Sequence, residues 1–318
     1  MHVFRRPRPG VPAVESGCVA TVGVFDGVHL GHQRILGRVN AEAARRGLAS
    51  LVFSFEPTPQ EVMNPRQPPA RLMCLREKVL VLKEWGVNHL YCPPFERTLQ
   101  GLAPEAFIEQ LLVRTLAVRH LVVGDDFRFG QGRAGTFAHL EAAGRQHGFS
   151  VEQVSSVTAA GMRVSSTAIR TALATGKLAI ARQLLGRPYR MVGRVSRGRQ
   201  LGRELGFPTA NMRLHRRASP VSGIFAVRVH GIGGGARDAV ASVGTRPTVA
   251  GVEPLLEVHV FDFDGDLYGR QIAVDFVARL RDEARFDNLE AMRLQMELDA
   301  VDARRALAAD TEAGDTHG

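Results

Sequence analysis

A glycine-rich turn between an apolar run and a helical pattern constrains the fold of this chain most strongly. The apolar run covers residues 18–24, the turn covers residues 23–32, and the helical pattern continues over residues 33–46. This order predicts a strand, a turn and a helix. Backbone N–H groups are free at such a helix start, where the helix dipole favours negative charge. We therefore expect the turn to bind a phosphate group.

Two histidines in this turn support the phosphate interpretation. His29 and His32 flank Gly31, which leaves a phosphate chain room beside the backbone while both rings donate from the side. Plain surface histidines and a metal pair are the alternatives. A metal would need a third ligand from Cys, His or a carboxylate, and no helical histidine pair with i, i+4 spacing is present. The pattern therefore favours phosphate over metal.

The length and composition indicate a two-domain globular protein of the cytoplasm. The chain has 318 residues, of which 45% are hydrophobic and 23% are charged. No uncharged apolar run reaches about 18 residues, so we expect no membrane span, and the N-terminus lacks the pattern of a cleaved signal peptide. Cys18, Cys74 and Cys92 are odd in number and lack ligand spacing, as expected of reduced thiols.

The formal net charge of +9 is confined to the first part of the chain. Residues 1–187 contain 23 Lys and Arg against 14 Asp and Glu, a difference of +9, whereas residues 188–318 contain 18 of each. The basic residues form no run of five or six, and no aromatic platform accompanies them. We therefore expect a mild attraction for nucleotides and no nucleic-acid partner.

The hydrophobic period changes near residue 188, which predicts two domains and a tail. Residues 1–187 alternate strands and helices, as in a parallel sheet covered on both faces. Residues 188–308 contain short Val-, Ile- and Phe-rich strands and then a helix over residues 289–307, as in a small antiparallel barrel with a C-terminal helix. Residues 309–318 are polar and are expected to form a flexible tail.

Two further segments of the first domain are candidates for nucleotide binding. The loop around Asp126 follows a predicted strand, and ligands of parallel sheets bind beyond the carboxyl ends of strands. Residues 163–170 offer Arg163 and Arg170 beside the start of a short helix, which suits a triphosphate. A simple N-cap at Ser166 explains the same segment equally well.

The second domain has its own candidate site. Residues 202–211 contain glycines that allow close backbone approach, followed by Thr209 and Asn211, whose neutral oxygens suit Mg²⁺ held mainly by phosphate and water. A turn stabilised by local hydrogen bonds is the alternative. Alternation places Glu257 and His259 on one strand face. A carboxylate on the inner face of a barrel needs a hydrogen-bonding or charged partner, or a catalytic role such as removing a proton from an alcohol.

Ten motifs together resemble those of the bacterial bifunctional riboflavin kinase and FAD synthetase family. The His29-Leu30-Gly31-His32 signature alone is similar to that of the wider nucleotidyltransferase superfamily. The longer motif at residues 25–32 is similar to that of a smaller set of proteins, the bifunctional family. The other nine motifs occur in the order found in that family. They cover residues 53–57, 76–78, 126–130, 163–170, 185–189, 202–211, 244–248, 267–269 and 281–286.

The resemblance implies an N-terminal Rossmann-like nucleotidyltransferase domain and a C-terminal riboflavin kinase barrel. Such enzymes convert riboflavin and ATP to FMN and ADP, and then FMN and ATP to FAD and pyrophosphate, with Mg²⁺ in both steps. Riboflavin, FMN and ATP are the implied partners. A nucleotidyltransferase for another small molecule, with the barrel as a binding module, is one alternative, and a flavin storage or regulatory protein is another. The oligomeric state stays open.

The resemblance also assigns residues. In the adenylyl site, His29 and His32 match positions on the ATP phosphates, and the supporting nucleotide and flavin positions are Gly23, Phe25, Asp26, Asp126, Arg163, Ser166, Thr167 and Arg170. In the kinase site, Glu257 matches the base acting on the ribityl 5′-hydroxyl, and Thr209 and Asn211 match the Mg²⁺ ligands. The other kinase positions are Gly202, Arg203, Gly206, Phe207, Pro208, Arg281 and Phe286.

The chain departs from the family pattern at two positions. Ser242 stands where the family often has Asn, and Asp126 stands where some members have Asn. Neither change removes a group that the chemistry needs, so we expect an effect on nucleotide affinity only.

Overall fold

The computed structural model describes residues 1–6, 12–198, 202, 205–248 and 251–315, and it contains two compact units. The first unit consists of Met1–Pro69 and Lys78–Val164. The second consists of Ala70–Glu77 and the chain from Ser165 onward. Among the described residues, no helix combines the length and the apolar run needed to cross a bilayer.

A six-stranded parallel sheet forms the centre of the first unit, as predicted. Its spatial order is β1-β4-β3-β2-β5-β6, so the order reverses at β2. The strands are β1 (His2–Phe4), β2 (Cys18–Val22), β3 (Ala49–Phe53), β4 (His89–Tyr91), β5 (Val118–Gly124) and β6 (Ser150–Val154). All five residues of β2 are buried, because helices cover both faces of the sheet.

The helices of this part of the chain connect successive strands. They are α1 (Leu30–Arg46), α2 (Pro59–Met63), α3 (Leu75–Glu84), α4 (Arg97–Gln100), α5 (Pro104–Phe107) and α6 (Phe137–His147). A π-helical segment at Ile108–Thr115 continues from α5, and a 3₁₀ turn lies at Gln131–Arg133. A short hairpin, β7 (Thr158–Ala159) and β8 (Met162–Arg163), precedes the end of the unit.

The second unit contains a closed barrel of six antiparallel strands, which confirms the predicted architecture. Its spatial order is β10-β13-β12-β11-β14-β9. The strands are β9 (Tyr189–Ser196), β10 (Ala210–Arg213), β11 (Gly223–His230), β12 (Arg237–Thr248), β13 (Gly251–Val260) and β14 (Gln271–Arg281). The unit also contains helices α7 (Ser166–Ala174), α8 (Leu178–Leu185) and α9 (Leu289–Asp315).

The C-terminal helix is longer than predicted. It continues to Asp315, so the flexible tail expected from residue 309 is wrong for residues 309–315. Arg228 explains the extension, because its guanidinium donates to the Leu307 carbonyl, to Asp310 Oδ2 at 2.5 Å and to Thr311 Oγ1 at 2.7 Å. These contacts tie the last turns to β11. Residues 316–318 lie outside the described residues.

The compact units divide at a different place from the predicted domains. The first unit ends at Val164, whereas we predicted a domain boundary at residue 187, and residues 70–77 also belong to the second unit. Helix α8 packs against β9 and β14, which accounts for its place with the barrel. Composition could not show this, because α7 and α8 continue the strand and helix alternation of the first unit.

A buried ion pair holds residues 70–77 in the second unit. Arg216 is 6% exposed, and its Nη2 lies 2.6 Å from both carboxylate oxygens of Glu77. Arg216 Nη1 also donates to the Tyr189 hydroxyl at 2.6 Å, while Glu77 accepts from the backbone N–H groups of Cys74 and Val192. Each buried charge therefore has partners, as buried charges require.

We expect the Glu77→Gln variant to lose about 3–5 kcal/mol of stability, because it leaves the Arg216 charge buried without its counter-ion. Urea denaturation followed by circular dichroism measures the loss, and the fluorescence of Trp85, the single tryptophan, reports separately on the first unit. The exposed Arg194→Met variant is the control and should change stability by less than about 0.5 kcal/mol. Equal stability of Glu77→Gln and the wild type would contradict this account of the ion pair.

Candidate active sites

The predicted strand, turn and helix are present, and the turn has an unusual backbone. Strand β2 ends at Val22 and α1 begins at Leu30. Between them Phe25 has φ 51° and Val28 has φ 42°, values that are costly for residues with a β-carbon, while Gly27 has φ 89°. Both Phe25 and Val28 are buried, so packing of their side chains compensates for the backbone cost.

The structure brings His29 and His32 together at the start of α1. His29 is the N-cap residue, and its Nδ1 accepts from the His32 backbone N–H at 3.4 Å. The two rings stack with centroids 3.7 Å apart. A β-carbon at Gly31 would lie 3.3 Å from the His29 ring, which is a tight contact, so glycine at this position leaves space for the ring. Because Nδ1 of His29 accepts, its ring proton is on Nε2.

His32 is a neutral imidazole in this site. Burial, and then the electrostatic effects of His29 and Lys78, hold the pKa of His32 well below its usual value. The Phe25 ring lies 4.7 Å from the His32 ring. Among the described residues, no group hydrogen-bonds to the buried Nδ1 of His32. Near neutral pH, His32 therefore contributes a hydrogen-bonding ring and no charge.

The Asp126 loop follows β5, the neighbour of β2 at the reversal of strand order. Arg163 Nη2 lies 2.9 Å from Asp126 Oδ2 and 3.4 Å from Asp125 Oδ1. Asp125 also accepts from the hydroxyl and backbone N–H of Ser156, and these hydrogen bonds hold the pKa of Asp125 below its usual value. Asp126 is exposed, so it is open to a ligand at the edge where parallel sheets bind them.

Ser166, Thr167 and Arg170 belong to the second unit. They lie in the first turns of α7, whose N-cap is Ser165 rather than Ser166, because the Ser165 hydroxyl accepts from the Ala168 N–H at 3.1 Å. The predicted cap was therefore one residue too late. Arg170 Nε donates to the Ala70 carbonyl at 2.7 Å, within the same unit.

Strand pairing in the barrel brings the predicted kinase residues together. In the register of β10, β13 and β12, Asn211 lies opposite Glu257, and Glu257 lies opposite Ser242. Cross-strand partners of this kind project from the same face of the sheet. Asn211 Nδ2 also lies 3.4 Å from the Thr209 hydroxyl oxygen. The register therefore assembles one polar row from three separate parts of the chain.

The Glu257 carboxylate does not face the barrel interior, contrary to our expectation. Leu256 and Val258, its neighbours on β13, are 0% exposed and occupy the interior. Alternation then places Glu257 on the outer face of the barrel wall, where it is partly exposed. This position suits a group that meets a ligand, because substrate can reach it.

A backbone hydrogen bond joins two described residues of the glycine segment before Thr209. The Phe207 N–H donates to the Gly202 carbonyl at 2.7 Å, and a β-carbon at Gly202 would lie 2.4 Å from the Phe207 carbonyl oxygen. Gly206 has φ 85°, in the region that favours glycine. His259 Nδ1 donates to the Pro208 carbonyl at 2.9 Å and so ties the turn to β13. The predicted site residue Arg203 lies outside the described residues.

Arg281 is the last residue of β14, and Phe286 lies close to it. The guanidinium of Arg281 contacts both carboxylate oxygens of Asp299, at 2.6 and 2.7 Å, and lies 5.9 Å from the Phe286 ring centre. Nearby, Glu283 packs against Gly244, and burial raises the pKa of Glu283. A cavity of about 280 Å³ is lined by Arg217, Ala218, Ser219, Val221, Ser222, Val243, Gly244, Thr245, Pro254 and Glu283.

Comparison with known proteins decides the family. A family model described as FAD synthetase matches residues 11–168, and one described as riboflavin kinase matches residues 185–307. The bifunctional riboflavin kinase/FMN adenylyltransferase of Escherichia coli (strain K12) is 47% identical over 292 residues, which cover 92% of this chain and 93% of the relative. The chain belongs to the bifunctional riboflavin kinase/FMN adenylyltransferase family.

Other comparisons extend over the same length. The bifunctional riboflavin kinase/FMN adenylyltransferase of Pseudomonas fluorescens is 48% identical over 294 residues, which cover 92% of this chain and 94% of that protein. A crystal structure described as that of a macrolide-efflux protein from Streptococcus pneumoniae is similar with a TM-score of 0.79 and 29% identity. The match covers 96% of this chain and 99% of the chain in that crystal structure.

Two residues that support the first site were not among the site residues predicted from the sequence. Lys78 Nζ donates to the Val24 carbonyl at 2.7 Å, and the Ser54 hydroxyl donates to the same carbonyl at 3.0 Å. Both residues lie within motifs that carry the family resemblance, but a motif does not show which distant backbone group a side chain reaches. Their role became visible only from these long-range hydrogen bonds.

We expect the His32 ring to protonate well below pH 6.5, because burial, the neighbouring His29 and the Lys78 charge oppose its charged form. Nuclear magnetic resonance titration of ¹⁵N-labelled imidazoles measures this midpoint. In the His29→Ala variant the midpoint should rise, because the effect of the second imidazole is gone. An ordinary histidine midpoint for His32 in the wild type would contradict the assignment.

Proposed function

We propose that the chain carries out both reactions of its family at the two sites described above. The barrel unit transfers the γ-phosphate of ATP to riboflavin and produces FMN and ADP. The site at the start of α1 transfers AMP from ATP to FMN and produces FAD and pyrophosphate. The observation that carries this proposal is the pairing of Asn211 with Glu257 in the barrel, separate from the His29 and His32 pair.

In the adenylyl site, a phosphate oxygen of FMN attacks the α-phosphorus of ATP and pyrophosphate leaves. Negative charge develops on the α-phosphate and on the leaving group. The free backbone N–H groups at the start of α1 and the Nε2–H of His29 are suited to stabilise that charge. Gly23, Phe25 and Asp26 shape the turn, and Asp126 with Arg163 binds nucleotide or flavin beside it. No covalent enzyme intermediate is required.

Ser166, Thr167 and Arg170 stay proposed nucleotide and flavin residues on the strength of the family resemblance. They lie in the first turns of α7, where helix geometry favours oxygen ligands. Because the Ser165 hydroxyl caps the helix, Ser166 and Thr167 do not have to supply the cap. The functional interpretation of this segment therefore becomes stronger than the capping interpretation.

In the barrel site, Glu257 removes the proton of the ribityl 5′-hydroxyl as the oxygen attacks the γ-phosphorus of ATP. General-base help of this kind is worth about 10²–10⁴ in rate. Gly202, Arg203, Gly206, Phe207 and Pro208 bind the nucleotide in the turn. Arg281 and Phe286 cover the flavin, with Arg281 oriented by Asp299.

The residues at the start of β10 fit a magnesium ion that is bound together with ATP. Thr209 and Asn211 offer neutral oxygens, and Mg²⁺ commonly keeps water and phosphate oxygens as its other ligands. Asn211 is 5% exposed, so its amide is held in one place. Bound Mg²⁺ would neutralise charge on the transferring phosphate. Among the described residues no cluster of three His, Cys, Asp or Glu side chains forms a metal site of another kind.

We expect the two activities to respond separately to substitution. Glu257→Gln should lower the rate of riboflavin phosphorylation by about 10²–10⁴ and leave FMN adenylylation intact, because only the general base is lost. His29→Ala should lower the rate of FMN adenylylation and leave riboflavin phosphorylation intact. Separate assays with riboflavin and with FMN measure both rates in each variant. Parallel loss of both activities in either variant would contradict the assignment of two sites.

A time course with the wild-type protein tests the proposed function as a whole. Incubation with riboflavin, ATP and Mg²⁺ should give transient FMN and then FAD, with ADP released in the first step and pyrophosphate in the second. Conversion of FMN without phosphorylation of riboflavin would instead support a nucleotidyltransferase with a non-catalytic barrel. Flavin binding without either product would support a storage protein. The cytoplasmic location and the absence of nucleic-acid and membrane partners stay predictions.

A further inference from the structure

A buried lysine contacts the turn that carries the adenylyl site. Lys78 is 2% exposed, and its side chain reaches from α3 to the turn that follows β2. Its Nζ donates to the Val24 carbonyl at 2.7 Å and to the Ser54 hydroxyl at 3.0 Å. Burial of an ammonium group is costly unless hydrogen bonds compensate for the lost water. The hydrogen bonds to Val24 and Ser54 supply that compensation.

The Val24 carbonyl is the point at which the turn leaves ordinary backbone geometry. It accepts from both Lys78 and Ser54, and the next residue, Phe25, has φ 51°. The Phe25 ring then contacts His32, whose ring stacks on His29. A short chain of contacts therefore connects the Lys78 ammonium with both histidines. A shift of the Val24 peptide would move Phe25 and, through it, the His32 ring.

The Lys78 charge also acts on His32 directly. Burial lowers the pKa of His32 first, and the electrostatic effects of His29, at the end of the turn, and of Lys78, on α3, lower it further. The ammonium therefore supplies fixed positive charge near the site and keeps the His32 ring neutral. Lys78 is too deeply buried to bind a substrate phosphate itself, so its effect must pass through the turn and the histidines.

We propose that Lys78 is a positioning residue for adenylyl transfer, which holds the Val24 carbonyl and thereby the turn that presents His29 and His32. This inference rests on the proposed function of the first site. It goes beyond that proposal because it assigns a role to a group that touches neither ATP nor flavin. The residues concerned, Lys78, Ser54 and Val24, all belong to the first unit.

The test compares Lys78→Met with Lys83→Met, a matched change at the exposed end of the same helix. Lys78→Met should lower kcat for FMN adenylylation about 100-fold, the effect of a misplacement of about 1 Å. The KM for ATP should change much less, and riboflavin phosphorylation by the same sample should stay within about 2-fold, because the barrel lies in the other unit. A circular dichroism spectrum and an unfolding transition like those of the wild type show that the first unit of the variant is folded. Lys83→Met should match the wild type in both reactions.

The pH profile of adenylylation separates positioning from loss of packing. If neutral His32 is required, activity falls as pH drops through its pKa. Removal of the Lys78 charge raises that pKa, so the acid limb of the Lys78→Met profile should move to higher pH. Simple loss of packing would lower the rate at every pH and leave the limb in place, which would overturn the proposal.

A second substitution covers the case in which Lys78→Met does not fold. Ser54→Ala removes one donor from the Val24 carbonyl and keeps the lysine charge, so adenylylation should fall about 5-fold with the acid limb unchanged. Adenylylation at the wild-type rate in Ser54→Ala would then overturn the inference without a measurement on Lys78→Met. Absence of FAD formation by the wild-type protein would instead overturn the proposed function, so the two failures are distinguishable.

Discussion

The pairing of β13 with its two neighbours determines the geometry of the barrel site. Leu256 and Val258 are fully buried in the interior, so β13 cannot slip by one residue without exposing both and burying Glu257. Closure of the barrel adds to this constraint, because each strand has partners on both sides. The position of a single carboxylate beside Asn211 and Ser242 is therefore maintained by the burial of apolar side chains on the opposite face.

In the first unit, hydrogen bonds from distant residues maintain the geometry of the site. Reversal of strand order at β2 brings the ends of β2 and β5 side by side, but the turn after β2 contains two residues at positive φ. Such a turn does not persist through local preference alone. Hydrogen bonds from Ser54, just after β3, and from Lys78, on α3, hold it from the outside. The histidine pair thus depends on residues far away in the sequence.

The sequence predicted local features better than distant contacts. Periodicity and glycine spacing were sufficient for the strand, turn and helix around His29, the parallel sheet and the barrel. The inner-face expectation for Glu257 was wrong although the same alternation carried the correct signal, because Leu256 and Val258 on the opposite face are apolar and occupy the interior. Periodicity and glycine spacing also missed the last turns of α9, since the polar residues after 308 are held by Arg228 on a strand about 80 positions earlier.

The neutral His32 ring changes the interpretation of the charge distribution. Residues 1–187 carry the whole excess of +9, a pattern first weighed as a sign of nucleic acid. Adenylyl transfer must stabilise a triphosphate and departing pyrophosphate, yet His32 supplies no positive charge near neutral pH. Under the proposed function the attraction therefore comes from groups that stay charged, which are arginines such as Arg163 and the buried Lys78. The histidines then serve as oriented hydrogen-bonding groups within a field that other residues produce.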